Sequence, residues 1–384
     1  MLIFISLMLM AYPVFAQYKI TLQLNNAPPH HRQDTIYVAG SFNQWNPALA
    51  KSMFVKDSNN VLSLEIENVP AGDTEFKFTR GSWAKVETKM DGVDTGNRKL
   101  IIMSDTLIQV SIAGWKDDFI SIPKRHTASS NVRILDTAFA IPQLGRARRT
   151  WIYLPPGYKK SRKRYPVIYM QDGQNIFDEF TAAFEEWGVD ETVDSITKKG
   201  KPASIIVGID NGPRRMNEYN PYEFKDFGKG EGDEYVDFLA KTLKPYIDRK
   251  YRTLPSRLTT VVAGSSMGGL ISYYAMLKYP EIFGKGGIFS PAFWPSPQIK
   301  ELTDSIGHNL NGKIFFYMGG QEGEQYIEDM KTVTDTLGNK SAVLMYIVTD
   351  PLATHNEKAW RKWFPEFYNW ILAPGFNYVI GVED

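Results

Sequence analysis

Residues 259–280 read TTVVAGSSMGGLISYYAMLKYP, and this stretch constrains the fold more than any other part of the chain. An apolar run is followed without a spacer by Gly264-Ser265-Ser266-Met267-Gly268 and then by a long amphipathic segment. That order describes a buried strand, a sharp turn and a helix packed back on the sheet. The G-x-S-x-G pattern places its serine on a strained strand-to-helix turn, where glycines at −2 and +2 let neighbouring backbone approach. Only Ser266 has both glycines in register, since Ser265 has Ala263 and Met267 at those offsets. Ser266 is therefore the expected nucleophile.

The surrounding sequence repeats the strand and helix alternation. Strands are expected at 149–154, 166–171, 204–209, 259–264, 286–289, 313–318 and 343–348. Helices are expected at 185–198, 233–249, 267–278, 324–337 and 356–372. Several of the strand runs are continuously apolar, as in a parallel sheet covered on both faces. Residues 132–376 thus predict a doubly wound, mostly parallel α/β sheet. Ahead of it, residues 17–113 show short β runs at 18–24, 35–40, 61–66, 75–79 and 107–112, separated by Pro, Gly, Asn and Asp. These predict a small all-β sandwich. The polar segment 114–131 has no periodicity and reads as a linker.

A serine hydroxyl needs a base, and the base an orienting acid. With chain order serine, acid, histidine, the five histidines His30, His31, His126, His308 and His355 can be sorted. The first three precede Ser266, and His308 sits in an Asn/Gly-rich stretch. His355 follows an apolar run by a short loop and precedes the last helix, which is where a base belongs. The acid is expected after the 313–318 strand, where Gly-Gly-Gln-Glu-Gly-Glu offers Glu322 and Glu324. Glu322 lies in the glycine-rich turn, whereas Glu324 suits the positive end of the following helix. Glu322 is assigned, with Glu324 as the alternative. The oxyanion donors are assigned to the amides of Met267 and Gln174, the latter in the loop Gln171-Asp172-Gly173-Gln174-Asn175, with Gly173 as its competing neighbour. Trp187, Tyr219 and Trp294 lie near strand ends and are candidate substrate contacts.

Composition narrows the chemistry. The 384 residues contain no cysteine, which excludes disulfides, thiolate metal sites and a cysteine nucleophile. A balance of 44 basic against 43 acidic residues provides no field to hold nucleic acid or an anionic membrane. No metal or other cofactor is expected. Residues 1–16, MLIFISLMLMAYPVFA, are uncharged and apolar and end in a Val-Phe-Ala cleavage pattern. This is too short to span a bilayer, which takes about 20 residues. It reads as a secretory signal, placing the mature chain in a bacterial periplasm or outside the cell, without a membrane anchor.

With TWIYLPPGY, YPVIYMQDGQNIFD, NEYNPYEF, GEGDEYVDFLAKTLKPYIDRKYRT, the GSSMGG elbow, the GGQE turn and His355 in place, residues 132–372 resemble the putative-esterase branch of the α/β-hydrolases. That branch includes enterochelin esterases, carbohydrate esterase family 1 and mycolyltransferases. The resemblance implies a metal-free serine triad, with a glutamate acid in some members, and hydrolysis of a carboxylic ester such as an acetyl or feruloyl group on a carbohydrate. A siderophore ester, or transfer of the acyl group to another acceptor, remains an alternative. Residues 37–47, YVAGSFNQWNP, with 75–83, EFKFTRGSW, are similar to glycogen- and starch-binding immunoglobulin-like modules. In such modules sugars stack on tryptophans, here Trp45 and Trp83, so the resemblance implies a polysaccharide partner. A glycan-binding protein with an inactive hydrolase domain is the remaining reading.

Overall fold

The computed structural model describes residues 17–31, 33–57, 60–119 and 124–374. The expected signal segment 1–16 lies outside them. The chain divides into two compact units, residues 1–123 and 124–384.

Among its described residues the first unit has nine strands: β1 (Gln17–Asn26), β2 (Tyr37–Gly40), β3 (Val55–Lys56), β4 (Leu62–Pro70), β5 (Gly72–Thr79), β6 (Glu87–Thr88), β7 (Arg98–Ile102), β8 (Thr106–Ser111) and β9 (Gly114–Trp115). They form sheets ordered β3-β4-β1-β8, β2-β5-β7 and β6-β9. Alternating residues such as Ile20, Leu22, Val38, Phe76, Phe78 and Val110 meet in one core, as period-2 strands require. The expected linker is corrected at its start. Trp115 is fully buried in that core and β9 pairs with β6, so 114–119 belong to this unit.

The second unit holds an eight-stranded sheet. Its strands are β10 (Val132–Ile141), β11 (Arg146–Tyr153), β12 (Val167–Gln171), β13 (Ile205–Ile209), β14 (Thr260–Ser265), β15 (Lys285–Phe289), β16 (Lys313–Gly319) and β17 (Leu344–Asp350). The order is β10-β11-β13-β12-β14-β15-β16-β17. The first two pairings are antiparallel and the rest parallel. Side chains alternate between two cores. Val167, Tyr169, Val207, Val262 and Ile288 face one, and Ile168, Met170, Ile206, Val261 and Phe289 face the other. Burial on both faces explains why these strands read as unbroken apolar runs.

Helices α1 (Val189–Lys198), α2 (Arg215–Glu218), α3 (Gly232–Phe238), α4 (Lys244–Lys250), α5 (Met267–Lys278), α6 (Gln298–Ile306), α7 (Glu324–Lys340) and α8 (Glu357–Leu372) surround the sheet. A π turn over Leu239–Leu243 joins α3 to α4. Two sequence expectations need amendment. α5 is not amphipathic, because every residue but Tyr274 and Lys278 is buried. Residues 124–131 are tied to this unit by hydrogen bonds: Thr127 N to Asp178 Oδ1 at 3.1 Å, Ser129 N to Asp190 Oδ2 at 2.6 Å and Asn131 Nδ2 to Asp194 Oδ1 at 2.9 Å. Among the described residues no helix is long and apolar enough to cross a membrane.

Candidate active site

β14 ends at Ser265, and Ser266 caps α5 with φ 58° and ψ −125°. A left-handed φ is uncommon for a residue with a Cβ and marks stored strain. The surroundings over-determine it. Ser266 N donates to Phe289 O at 2.9 Å, and Ala292 N donates to Ser266 O at 3.1 Å. A Cβ on Gly264 would lie 2.7 Å from Gly268 O, so the turn closes only with glycine there. The serine is partly exposed, whereas Met267 is 2% exposed with its amide at the start of the helix. The first amides of a helix lack intrahelical acceptors and point at whatever occupies that end.

The turn after β16 and the loop after β17 are stitched together. Gly320 N donates to Asp350 O at 2.7 Å and Gln321 N to Ala353 O at 2.9 Å. A Cβ on Gly319 would stand 2.6 Å from Ala353 O, so this approach explains the double glycine. Glu322 is thereby brought to His355, whose Nδ1 donates to Glu322 Oε2 at 2.6 Å. Glu322 Oε1 accepts from Ser290 Oγ at 2.6 Å and Gly319 N at 2.8 Å. The carboxylate side chain is only 2% exposed, while that of His355 is 44% exposed. Glu324 is exposed at the first position of α7, apart from this network. His308 is exposed in the short turn Gly307–Asn309.

The loop after β12 is held just as firmly. Asp172 has φ 56°, and its carboxylate takes Arg215 Nε at 2.7 Å, Arg215 Nη2 at 2.8 Å and Asn211 Nδ2 at 2.6 Å. Gln174 Oε1 accepts from Asn211 N at 3.1 Å and Gln174 O from Thr181 Oγ1 at 2.7 Å. A Cβ on Gly268 would sit 3.1 Å from Asp172 Oδ2, which puts this loop against the serine turn.

Of the three candidate substrate contacts, two are corrected. Trp187 is 3% exposed and packs on Phe289, Trp360 and Phe364. Tyr219 is fully buried against Tyr235, and its hydroxyl accepts from Asp172 N at 3.4 Å. Neither can touch a ligand without unpacking the core. Trp294 is 40% exposed and clusters with Phe224 and Phe227. Ser290 and Trp360, which complete the carboxylate's surroundings, carry no motif and were not identified from sequence.

In the first unit, Trp45 and Trp83 lie together with ring centroids 6.3 Å apart. Trp83 is 42% exposed, and Trp45 holds a left-handed φ of 58°. His30, His31 and Asp118 also converge, with ligand atoms within 4.8 Å of one another. Asp118 already takes the two imidazoles at 2.8 and 2.6 Å, and Arg80 stands 2.6 Å from His31 Nδ1. The guanidinium opposes a cation there, and the cluster is satisfied as an ion-pair network tying the Pro29–His31 turn to 116–118.

The chain is similar to known proteins in sequence and in fold. The chain is 26% identical over 242 residues to the uncharacterised protein YbbA of Bacillus subtilis, covering 59% of this chain and 93% of that one. It is 28% identical over 244 residues to an endo-1,4-beta-xylanase/feruloyl esterase of Xylanibacter ruminicola, covering 60% of this chain and 30% of that one. The solved enterochelin esterase of Shigella flexneri superposes with a TM-score of 0.52 at 15% identity, covering 92% of this chain and 91% of its own. Residues 141–369, more than half of the chain, match the family described as Putative esterase, and the chain belongs to that family.

Proposed function

We propose that the protein is an exported serine esterase that hydrolyses acetyl or feruloyl esters of carbohydrates. The observation that carries this reading is the 2.6 Å bond between His355 Nδ1 and Glu322, whose carboxylate is held by Ser290, the neighbour in sequence of Phe289, which accepts the amide of the strained, partly exposed Ser266. With Nδ1 engaged by the carboxylate, Nε2 is the nitrogen left to take the serine proton. Ser266 Oγ attacks the ester carbonyl as His355 accepts its proton. The tetrahedral oxyanion is held by the amides of Met267 and Gln174. His355 then returns the proton to the departing alcohol, leaving an acyl-enzyme, and water repeats the sequence to release the acid. Glu322 fixes the tautomer of His355 and stabilises the imidazolium.

The feruloyl esterase relative supports the carbohydrate ester, and residues 1–16 support export. In the first unit, the paired rings of Trp45 and Trp83 offer an apolar face to a pyranose, so a polysaccharide is the proposed partner there. A siderophore ester is the second reading, favoured by the fold shared with enterochelin esterase. The cations that a catecholate ligand would need are already engaged, since Arg215 pairs with Asp172 and Arg214 with Glu231 at 3.0 Å. The test is turnover of acetylated, feruloylated and ferric-siderophore esters by the wild type and Ser266→Ala. Loss of all turnover in the variant with an unchanged fold is expected, and retained turnover would sink the serine assignment.

A further inference from the structure

α8 begins two residues after His355. Asn356 caps it, its Oδ1 accepting from Ala359 N at 2.9 Å. The next residue, Glu357, is 8% exposed. Buried carboxylates are normally met by cations or several donors, because desolvating an unpaired charge is costly. Among the described residues, Glu357 has no side-chain hydrogen bond or ion pair, and its carboxylate receives only its own amide. Its charged neighbours include His355, the Asp172–Arg215 pair and the exposed Glu185. Asp172 lies against Gly268 of the serine turn, and Arg215 is committed to Asp172. Burial pushes the Glu357 carboxyl up, His355 opposes this, and Glu185 and Asp172 reinforce it. A helix N-terminus tolerates an acid, but an exposed one would suffice. This one is largely enclosed two residues from His355 with no side-chain partner, a combination that marks functional carboxyls.

We propose that Glu357 is a substrate-contacting residue whose carboxylate accepts hydrogen bonds from hydroxyl groups of the ester's alcohol portion and turns away anionic esters. This rests on the serine esterase reading and adds a selectivity to it. A neutral polyol brings donors to the carboxylate, while an anion meets the charges of Glu357 and Glu185, that of Asp172 being offset by Arg215. Sugar and phenolic hydroxyls share this chemistry, and a matched pair of sugar esters separates charge from hydroxyl content.

The experiment compares kcat/KM on monoacetylated glucose, monoacetylated glucuronate and cyclohexyl acetate for the wild type and for Glu357→Gln, Glu357→Asp, Glu357→Ala and Ser266→Ala. The wild type is expected to prefer the glucose ester over the glucuronate ester by about tenfold or more. Glu357→Gln should shrink that ratio to about one to three, and Glu357→Asp should keep it. Because it is a ratio, it does not depend on how much of a variant is folded. Glu357→Ala should lower kcat/KM on the glucose ester by about tenfold, mainly through KM, and affect cyclohexyl acetate much less. An unchanged ratio in Glu357→Gln, or equal losses on all three esters in Glu357→Ala, would overturn the inference. Ser266→Ala separates the two ideas: if it still turns over esters, the serine-esterase reading fails. If it is inactive and the ratio ignores Glu357, only the selectivity fails.

Discussion

Ser290 donates its hydroxyl to Glu322 Oε1 over 2.6 Å, and Ser290 Oγ itself accepts the indole N–H of Trp360 at 2.9 Å. Trp360 stands edge-on to His355 with centroids 5.1 Å apart, and His355 returns to Glu322 through Nδ1. Four side chains from three separate segments thus close a ring around one carboxylate. Ser290 holds a left-handed φ of 42° to reach it, a cost that persists only where the surroundings fix the backbone.

Ser290→Ala should therefore do two things at once. It leaves the buried Trp360 N–H unpaired and removes a donor from Glu322, costing about 1–3 kcal/mol of stability. It also frees Glu322 to rotate away from His355, so kcat should fall about tenfold with KM nearly unchanged. Denaturant unfolding and steady-state kinetics check both. A variant with reduced stability but unaltered kcat would confine Ser290 to packing.

Glu322→Gln tests the assignment of the acid. An amide in this position can present its N–H to Nδ1 and favour the wrong tautomer, so kcat should fall by about 10³ to 10⁴. Glu324→Gln removes only an exposed charge at the start of α7 and should leave kcat within about twofold, with at most about 1 kcal/mol of stability lost. The reverse result would move the acid to Glu324.

Among the strands legible in the sequence are those whose two faces are both buried. β12, β13, β14 and β16 are apolar without interruption and their bounds fall within two residues of expectation. β10 escaped because it is an antiparallel edge strand, mostly exposed, with register shifts between Ile134 and Asp136 and between Asp136 and Phe139. Ser266, Glu322 and His355 were picked out by chain order and glycine spacing, and they follow β14, β16 and β17, which run parallel. Burial was not legible: Trp187 and Tyr219 sit near strand ends in sequence, yet their rings point into cores formed by residues far along the chain. Ser290 and Glu357 gain their importance only from tertiary neighbours, which no local pattern encodes.

Arg215→Lys should behave as a loss rather than a conservative change. Arg215 grips both oxygens of Asp172 at 2.7 and 2.8 Å, a fork that an ammonium cannot reproduce. Loosening Asp172 frees the loop that carries Gln174. We expect kcat to drop about tenfold or more, with stability lowered by about 3 kcal/mol because a buried carboxylate loses its partner. Wild-type kinetics in the lysine variant would show that the loop is held by Asn211 and Tyr219 alone.

Trp83→Ala tests the first unit. Trp83 is exposed, so its loss should cost less than about 0.5 kcal/mol. If the Trp45 and Trp83 rings form a sugar platform, the variant should lose retention on insoluble starch or glycogen while hydrolysis of a small soluble ester continues at the wild-type rate. Equal retention of both proteins, or of neither, would remove the polysaccharide from the proposal.

Asp190 gives the fold a pH dependence whose sign can be worked out. Burial pushes its carboxyl up to about 7, against the opposing hydrogen bond from Ser129 N and with Glu191 adding repulsion. In the unfolded chain the same group returns to the ordinary carboxylate range, near 3.8. Between these values the folded state holds a proton that the unfolded state has released. The stability associated with that proton is complete at low pH and drains away as pH rises through about 7, where the buried group must ionise. Asp190→Asn keeps an acceptor for Ser129 N but cannot ionise. Its stability should therefore fall less between pH 5 and pH 8 than that of the wild type, by on the order of 2 kcal/mol. Urea unfolding at the two pH values measures the difference directly, and parallel curves for the two proteins would mean that Asp190 is already charged in the folded chain at pH 5.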